Sequence, residues 1–249
     1  MESAHEVAAE WLASPLGCRV LAEEGVLARR ALENVFGFEL LQLGVWGPAT
    51  HLLDEARTQH STVVAQVQGP GVALCAPLVS LPFKSDSVDG VVLPHTLELA
   101  EDPYAVLREA ERVLCAEGCL MIYGFNPYSG WGARRLFARY FGQAAFPPQI
   151  RRMLSERRLR DWVALLGFDV DSVQGYLGYF PMGGVNAVSL DADAESWDRS
   201  LRPWIPATSG AYLIKARKRV TTLTLVRPKR RARQRVLVTA VEPTSKMGP

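Results

Sequence analysis

The stretch from Leu81 to Gly124 constrains the fold more than any other, because it reads as strand, helix and strand with a turn or cap at each junction. Val88, Val91, Val92 and Leu93 form a short apolar run between the polar turn Lys84-Ser85-Asp86-Ser87 and Pro94, which suits a strand buried on both faces of a parallel sheet. Glu101-Asp102-Pro103 then opens a helix, with acids at its positive end and proline in its first turn. Ala105, Val106, Leu107, Ala110, Val113 and Leu114 recur at helical spacing, and Gly118 is the expected stop. Leu120 to Tyr123 make a second apolar strand, so the unit is a right-handed strand-helix-strand crossover.

The rest of the chain is placed around that unit. Residues 4–13 and 16–35 read as two helices split by Ser14-Pro15, with Ser14 as a cap and Leu21, Val26, Leu27, Ala31 and Leu32 as the apolar stripe of the second. They are expected to cover the sheet or lid a cleft. Glu39 to Leu43 is the first strand, followed by a turn and a helix beginning near Pro48 or Ala49. Residues 129–166 are helical and arginine-rich, with a break at Pro147-Pro148; Phe168 to Tyr179 is a strand, and Ala211 to Val220 is another. The arginines suit either a solvated helix face or a surface for an anionic partner.

Charge is unevenly placed. Ten of the 28 basic residues lie within 215–235 without a single acid, which leaves the remainder at −8, with 18 basic and 26 acidic residues. Residues 221–249 therefore read as a basic flexible tail, and 227–235 as a segment capable of weak nonspecific contact with nucleic acid or an anionic membrane. No apolar stretch is long enough to span a bilayer and no signal peptide precedes the first helix, so a cytoplasmic location is expected. The four cysteines form no CxxC pair and the four histidines lack metal-ligand spacing; no metal is expected.

The string LPFxxxSVDxVxLxHxLE, followed by EDPxxxLREAxRVLxxxGxLxI, resembles the second half of a class I S-adenosylmethionine (SAM) dependent methyltransferase, of the small-molecule type that includes ubiquinone-pathway enzymes. GFNPYSGWGARR, RLRDWVALLGFDV and GAYLIKARK resemble the closing segments of bacterial members, so the likeness covers about residues 38 to 219. It implies an α/β fold: a Rossmann-like, doubly wound seven-stranded sheet whose last strand is antiparallel and slots between strands five and six. The domain then spans 37–220, after N-terminal helices at 1–36, with 181–209 as an insertion or cover.

The resemblance also implies functional positions. The family's cofactor loop, an acid followed by GxGxG, falls on Gln42, Gly44, Trp46 and Pro48, with Gly47 between; its ribose-binding acid falls on Gln66 or Gln68, and its adenine-binding acid on Pro77. All three acids are replaced. Leu81 would border the adenine, and Pro94 and His95 would stand at the crevice where the strand order reverses. His95 is the expected catalytic residue, able to take a proton from an acceptor near neutral pH. Asn126, Tyr128 and Trp131 are expected to line the acceptor pocket. Asn126-Pro127-Tyr128 is not the NPPY signature of nitrogen-directed enzymes, which follows strand four. The expected activity is SAM-dependent methyl transfer to a small or medium-sized acceptor; the loss of the three acids leaves a catalytically inactive binding or scaffold protein as the alternative. An NAD-dependent oxidoreductase is disfavoured, since the first loop lacks GxGxxG.

Overall fold

The computed structural model describes residues 4–141, 146–147, 150–178 and 209–219. Of the expected insertion at 181–209 only Ser209 is described, and the basic tail at 221–249, including 227–235, lies outside the described residues. Helix α1 (Ala4–Ala13) leads into α2 (Pro15–Leu32); Ser14 caps α2 by accepting a bond from the Gly17 amide, with Pro15 in the first turn. Seven strands follow: β1 (Phe36–Leu43), β2 (Arg57–Ala65), β3 (Leu74–Cys75), β4 (Val88–Pro94), β5 (Leu114–Phe125), β6 (Phe168–Tyr176) and β7 (Ala211–Lys218). Helix α3 (Thr96–Leu99) follows β4, α4 (Pro103–Val113) precedes β5, and α5 (Gly130–Phe141) and α6 (Glu156–Leu165) lie between β5 and β6.

The strands form one sheet in the order β3-β2-β1-β4-β5-β7-β6. All neighbours are parallel except β7, which is antiparallel to both β5 and β6. The doubly wound sheet with its antiparallel last strand is as expected. Alternation sends Leu40, Val92, Met121, Tyr123 and Leu213 toward α1 and α2, while Leu41, Val91, Leu120, Ile122 and Ile214 face α4 and α6. Strands covered on both sides explain the near-continuous apolar runs.

Four local readings need correction. On α2, Val26 is exposed and the buried stripe runs through Val20, Glu24, Leu27, Ala28 and Ala31, which places a charged residue on the inner face. No helix follows β1. Instead Pro48 to Ala56 is a chain of turns, with His51, Leu53 and Ala56 amides bonded three residues back. The link has to retrace the sheet from the end of β1 to the start of β2, roughly 26 Å at about 3.3 Å per strand residue. The residues between Leu43 and Arg57 would cover about 20 Å as one continuous helix at about 1.5 Å each, so part of the link stays extended. Gly118 does not end α4, which stops at Val113; the strand begins directly, and residues 115–118 bulge out opposite Asp89, turning at Glu117 with φ of 64°. The last two strands end at Tyr176 and Lys218, short of Tyr179 and Val220.

Two polar clamps hold the frame. The Asp89 carboxylate accepts bonds from the Phe38 and Glu39 amides, which lie before the β1–β4 ladder begins at Leu40. Arg112 donates to the Leu81 and Phe83 carbonyls and to Glu109, whose carboxylate also accepts from the Leu81 amide.

Candidate functional site

In a doubly wound sheet the ligand crevice lies outside the carboxyl ends of the strands where the order reverses, here between β1 and β4. His95 follows β4 directly and takes the left-handed conformation, with φ of 54°, which histidine tolerates better than most residues. Its ring is entirely buried between Trp46 and Phe125, each with its centroid 4.3 Å away. One ring nitrogen, Nδ1, lies 2.7 Å from Glu98 Oε2; the other, Nε2, lies 2.8 Å from Glu24 Oε1. Burial pulls the imidazole pKa down, but the two carboxylates outweigh it and hold it up to about 9. At neutral pH the ring is an imidazolium donating on both sides, with aromatic faces above and below it.

Both carboxylates are buried. Burial raises the Glu98 pKa, partly opposed by His95 and by the Phe125 and Leu154 amides that donate to it. Glu24 reaches in from α2 and receives three donors, each at 2.8 Å: His95 Nε2 and the Tyr176 hydroxyl on one oxygen, the Trp46 indole on the other. Glu23 adds a neighbouring tie by accepting from the Leu177 amide. The cluster thus joins α2, the loop after β1, the end of β4 and the end of β6.

The positions named from the sequence separate into two sets. Gln42, Trp46, Pro94, His95 and Trp131 are buried in and around this cluster, with Trp131 stacked on Phe125 at 5.6 Å. Gln42 donates to the Gly44 carbonyl, and its Oε1 meets no partner among the described residues. The others do not converge there. Gln66, at the end of β2, and Pro77 are exposed. Leu81 is packed in the opposite core against α4, away from any adenine site beside β1. Tyr128 is 82% exposed and so lines no pocket wall, while Asn126 spends its side chain on the Ser209 carbonyl and the Tyr128 amide. His95 is a buried acid at neutral pH instead of a free base near 6.5, and Glu98, in the first turn of α3, is buried beside it.

The loop glycines have structural reasons of their own. Gly44 has φ of 90°, and a Cβ there would lie 3.0 Å from Thr96 Oγ1, which itself donates to the Leu43 carbonyl. Gly47 has φ of 72° and would bring a Cβ to 2.6 Å from Leu21 on α2. SAM, which the family implies, does not fit this arrangement. Trp46 stands where the second loop glycine would be, its indole packed against His95 and tied to Glu24, so the chain's own side chains fill the crevice. No acid stands at the end of β2 to hold a ribose. Sequence reasoning missed Glu24 and Tyr176; the signal for Glu24 was a carboxylate four residues from both Val20 and Ala28 on an otherwise apolar stripe. No cluster of potential metal ligands occurs among the described residues, and no described helix is long and apolar enough to cross a membrane.

Comparison with known proteins gives the fold its family. A family model described as a methyltransferase domain matches residues 36–122. The uncharacterized protein YafS of Escherichia coli K12 is 35% identical over 211 residues, covering 81% of this chain and 80% of that protein. Among solved structures, a putative methyltransferase in complex with the Haloferax volcanii Trm112 activator aligns with a TM-score of 0.56 at 15% identity, covering 86% of this chain and 98% of that one. A SAM-dependent methyltransferase from Archaeoglobus fulgidus aligns at 0.55 and 15% identity, covering 80% and 94%. The [4+2]-cyclase SpnF aligns at 0.54 and 19% identity, covering 79% and 80%. These low identities speak for the fold alone. With the matched domain, the YafS relationship and the strand order in agreement, the chain belongs to the class I methyltransferase-domain family.

Proposed function

We propose that this chain is a methyltransferase-family domain that acts as a binding protein through the β1–β4 crevice and does not transfer methyl groups from SAM. The observation that carries the reading is the Glu24 carboxylate, buried and satisfied by three donors in the crevice itself. Withdrawing it would strand the buried His95 imidazolium and two neutral donors, at a cost of about 3–5 kcal/mol. A site of micromolar intrinsic affinity is worth about 8 kcal/mol. With that opening cost it would retain only about millimolar affinity, because binding must first populate the open state.

A second reading is favoured by family membership and by the left-handed loop glycines, Gly44, which falls on a family glycine, and Gly47. In it α2 lifts, SAM enters against the loop after β1, and a small acceptor is methylated beside Trp131. Titration calorimetry and thermal shift with SAM and S-adenosylhomocysteine separate the two. The binding-protein reading expects no heat and no shift with either compound at about 1 mM. Low-micromolar binding to the unaltered protein would replace it with the second reading and call for an acceptor screen.

A further inference from the structure

The three donors around Glu24 come from separate parts of the sheet. Trp46 lies in the loop after β1, His95 at the end of β4 and Tyr176 at the end of β6, yet all point at one carboxylate. His95 and Tyr176 have supports besides Glu24, and the Trp46 ring packs against Trp11, His95 and Phe125. His95 is held by Glu98 and by its own amide on the Tyr123 carbonyl, Glu98 is held by the Phe125 amide, and Tyr176 is fixed by the β6–β7 ladder. Taken without α2, this end of the sheet is an anion receptor: one cation, two neutral donors and the aromatic faces of Trp46, Phe125 and Trp131. On the same face of the sheet, Gln42 Oε1 and the Tyr123 hydroxyl are buried and meet no partner among the described residues.

We propose that Trp46, His95 and Tyr176 form a receptor for the carboxylate of a small ligand with an apolar or aromatic body, and that Glu24 is its internal occupant, displaced when the ligand binds. This rests on the binding-protein reading above.

The geometry selects a carboxylate over a phosphate. Two donors meet one oxygen and one meets the other, which satisfies a planar two-oxygen group; the further oxygens of a phosphate would face aromatic rings and the Glu98 carboxylate. The Glu98 carboxylate already stands against the same imidazolium, so a carboxylate ligand adds one buried negative charge, as Glu24 does, whereas a dianion would add two. Titratable groups facing the receptor are Glu24 from α2, Glu98 from α3, Tyr123 from β5 and Tyr176 from β6. The hinge for displacement is in α2 itself. Gly25, a poor helix former, follows Glu24 directly, and Leu21 one turn earlier is tied through its carbonyl to His51.

The test uses phenylacetate and its uncharged isostere phenylacetamide against the full chain and a Glu24→Ala variant, read by calorimetry and thermal shift. Phenylacetate is expected to bind Glu24→Ala at least tenfold more tightly than the unaltered protein, with phenylacetamide silent on both. In the unaltered protein, saturating phenylacetate is expected to speed hydrogen exchange of amides 20–28 as Glu24 leaves. If Glu24→Ala does not fold, Glu24→Gln, which keeps the shape but is a weaker internal occupant, is expected to take phenylacetate more tightly than the unaltered protein, by a smaller factor than an emptied receptor. Equal binding of acid and amide, or a variant that takes phenylacetate while the unaltered protein shows neither binding nor faster exchange, would overturn the proposal and leave Glu24 a purely structural group. SAM serves as the control: tight SAM binding by the unaltered protein defeats the parent reading, whereas SAM silence with no preference for the acid defeats only this one.

Discussion

Replacing Glu24 with Gln should lower stability by about 2–3 kcal/mol at pH 7, and the loss should fade as the pH rises. The magnitude follows from the proton on His95. Its affinity rises from the ordinary 6.5 to about 9 in the folded chain. At about 1.4 kcal/mol for each tenfold change, that amounts to about 3 kcal/mol shared between two carboxylates, of which Glu24 exerts the stronger pull. The substitution also leaves one neutral acceptor in place of two charged ones: the bond from Tyr176 becomes neutral at a cost of about 1 kcal/mol, and the amide nitrogen, itself a donor, can accept nothing from the Trp46 indole. Relief from burying the Glu24 charge offsets part of the sum. A group whose pKa is raised by folding gives its full stabilisation below 6.5 and loses it as the pH climbs through about 9. The gap between parent and variant should therefore be widest near pH 6.5 and shrink toward pH 10. Urea unfolding of both proteins across that range measures it, and a melting point lower by about 5–10 °C at pH 7 is the thermal counterpart. A gap below about 0.5 kcal/mol at pH 7, or one that persists undiminished at pH 10, would show that His95 is not held as a cation by Glu24.

Three further outcomes are expected. Ser14→Ala, which removes the α2 cap, should cost about 1 kcal/mol in urea unfolding. Gly47→Ala should cost about 1–3 kcal/mol, because its φ of 72° and the nearby Leu21 methyl both resist a Cβ; an unchanged melting point would show that the loop relaxes freely. Arg112→Ala should cost about 1–2 kcal/mol and speed hydrogen exchange at Leu81, since the guanidinium and the Glu109 carboxylate it steadies clamp both polar groups of that backbone residue.

The sheet was legible because its signals are local and strong. Apolar runs bounded by Pro94 and by polar turns gave β4, Asp102-Pro103 gave α4, and the antiparallel β7 matched its expected slot. The turns after β1 were not legible, because Pro48 and Ala49 are ordinary helix openers and nothing local to Pro48 to Ala56 forbids a helix. The site was half legible. His95 and Trp46 stand out at the strand ends, where topology directs attention. Glu24 lies 71 positions before His95 in the chain, and no pattern read in one segment reveals that a helix will deliver its carboxylate to a distant imidazole. Exposure is likewise a tertiary outcome, so Tyr128 and Glu98 could each have been assigned to the other's environment.

The turns that replace a helix after β1 change the electrostatics of the crevice. An α-helix starting at that loop would aim its unpaired amides and the positive end of its macrodipole at whatever binds there, a fixed attraction for anions independent of pH. Here no such pole follows β1, and the positive charge facing Glu24 is a proton carried by His95. Anion and proton are consequently coupled: any occupant that leaves without replacement weakens the hold on the proton, and loss of the proton weakens the hold on the next anion. If the receptor takes an external carboxylate, this chain would take up anion and proton together, whereas a helix at that position would hold an anion independently of pH.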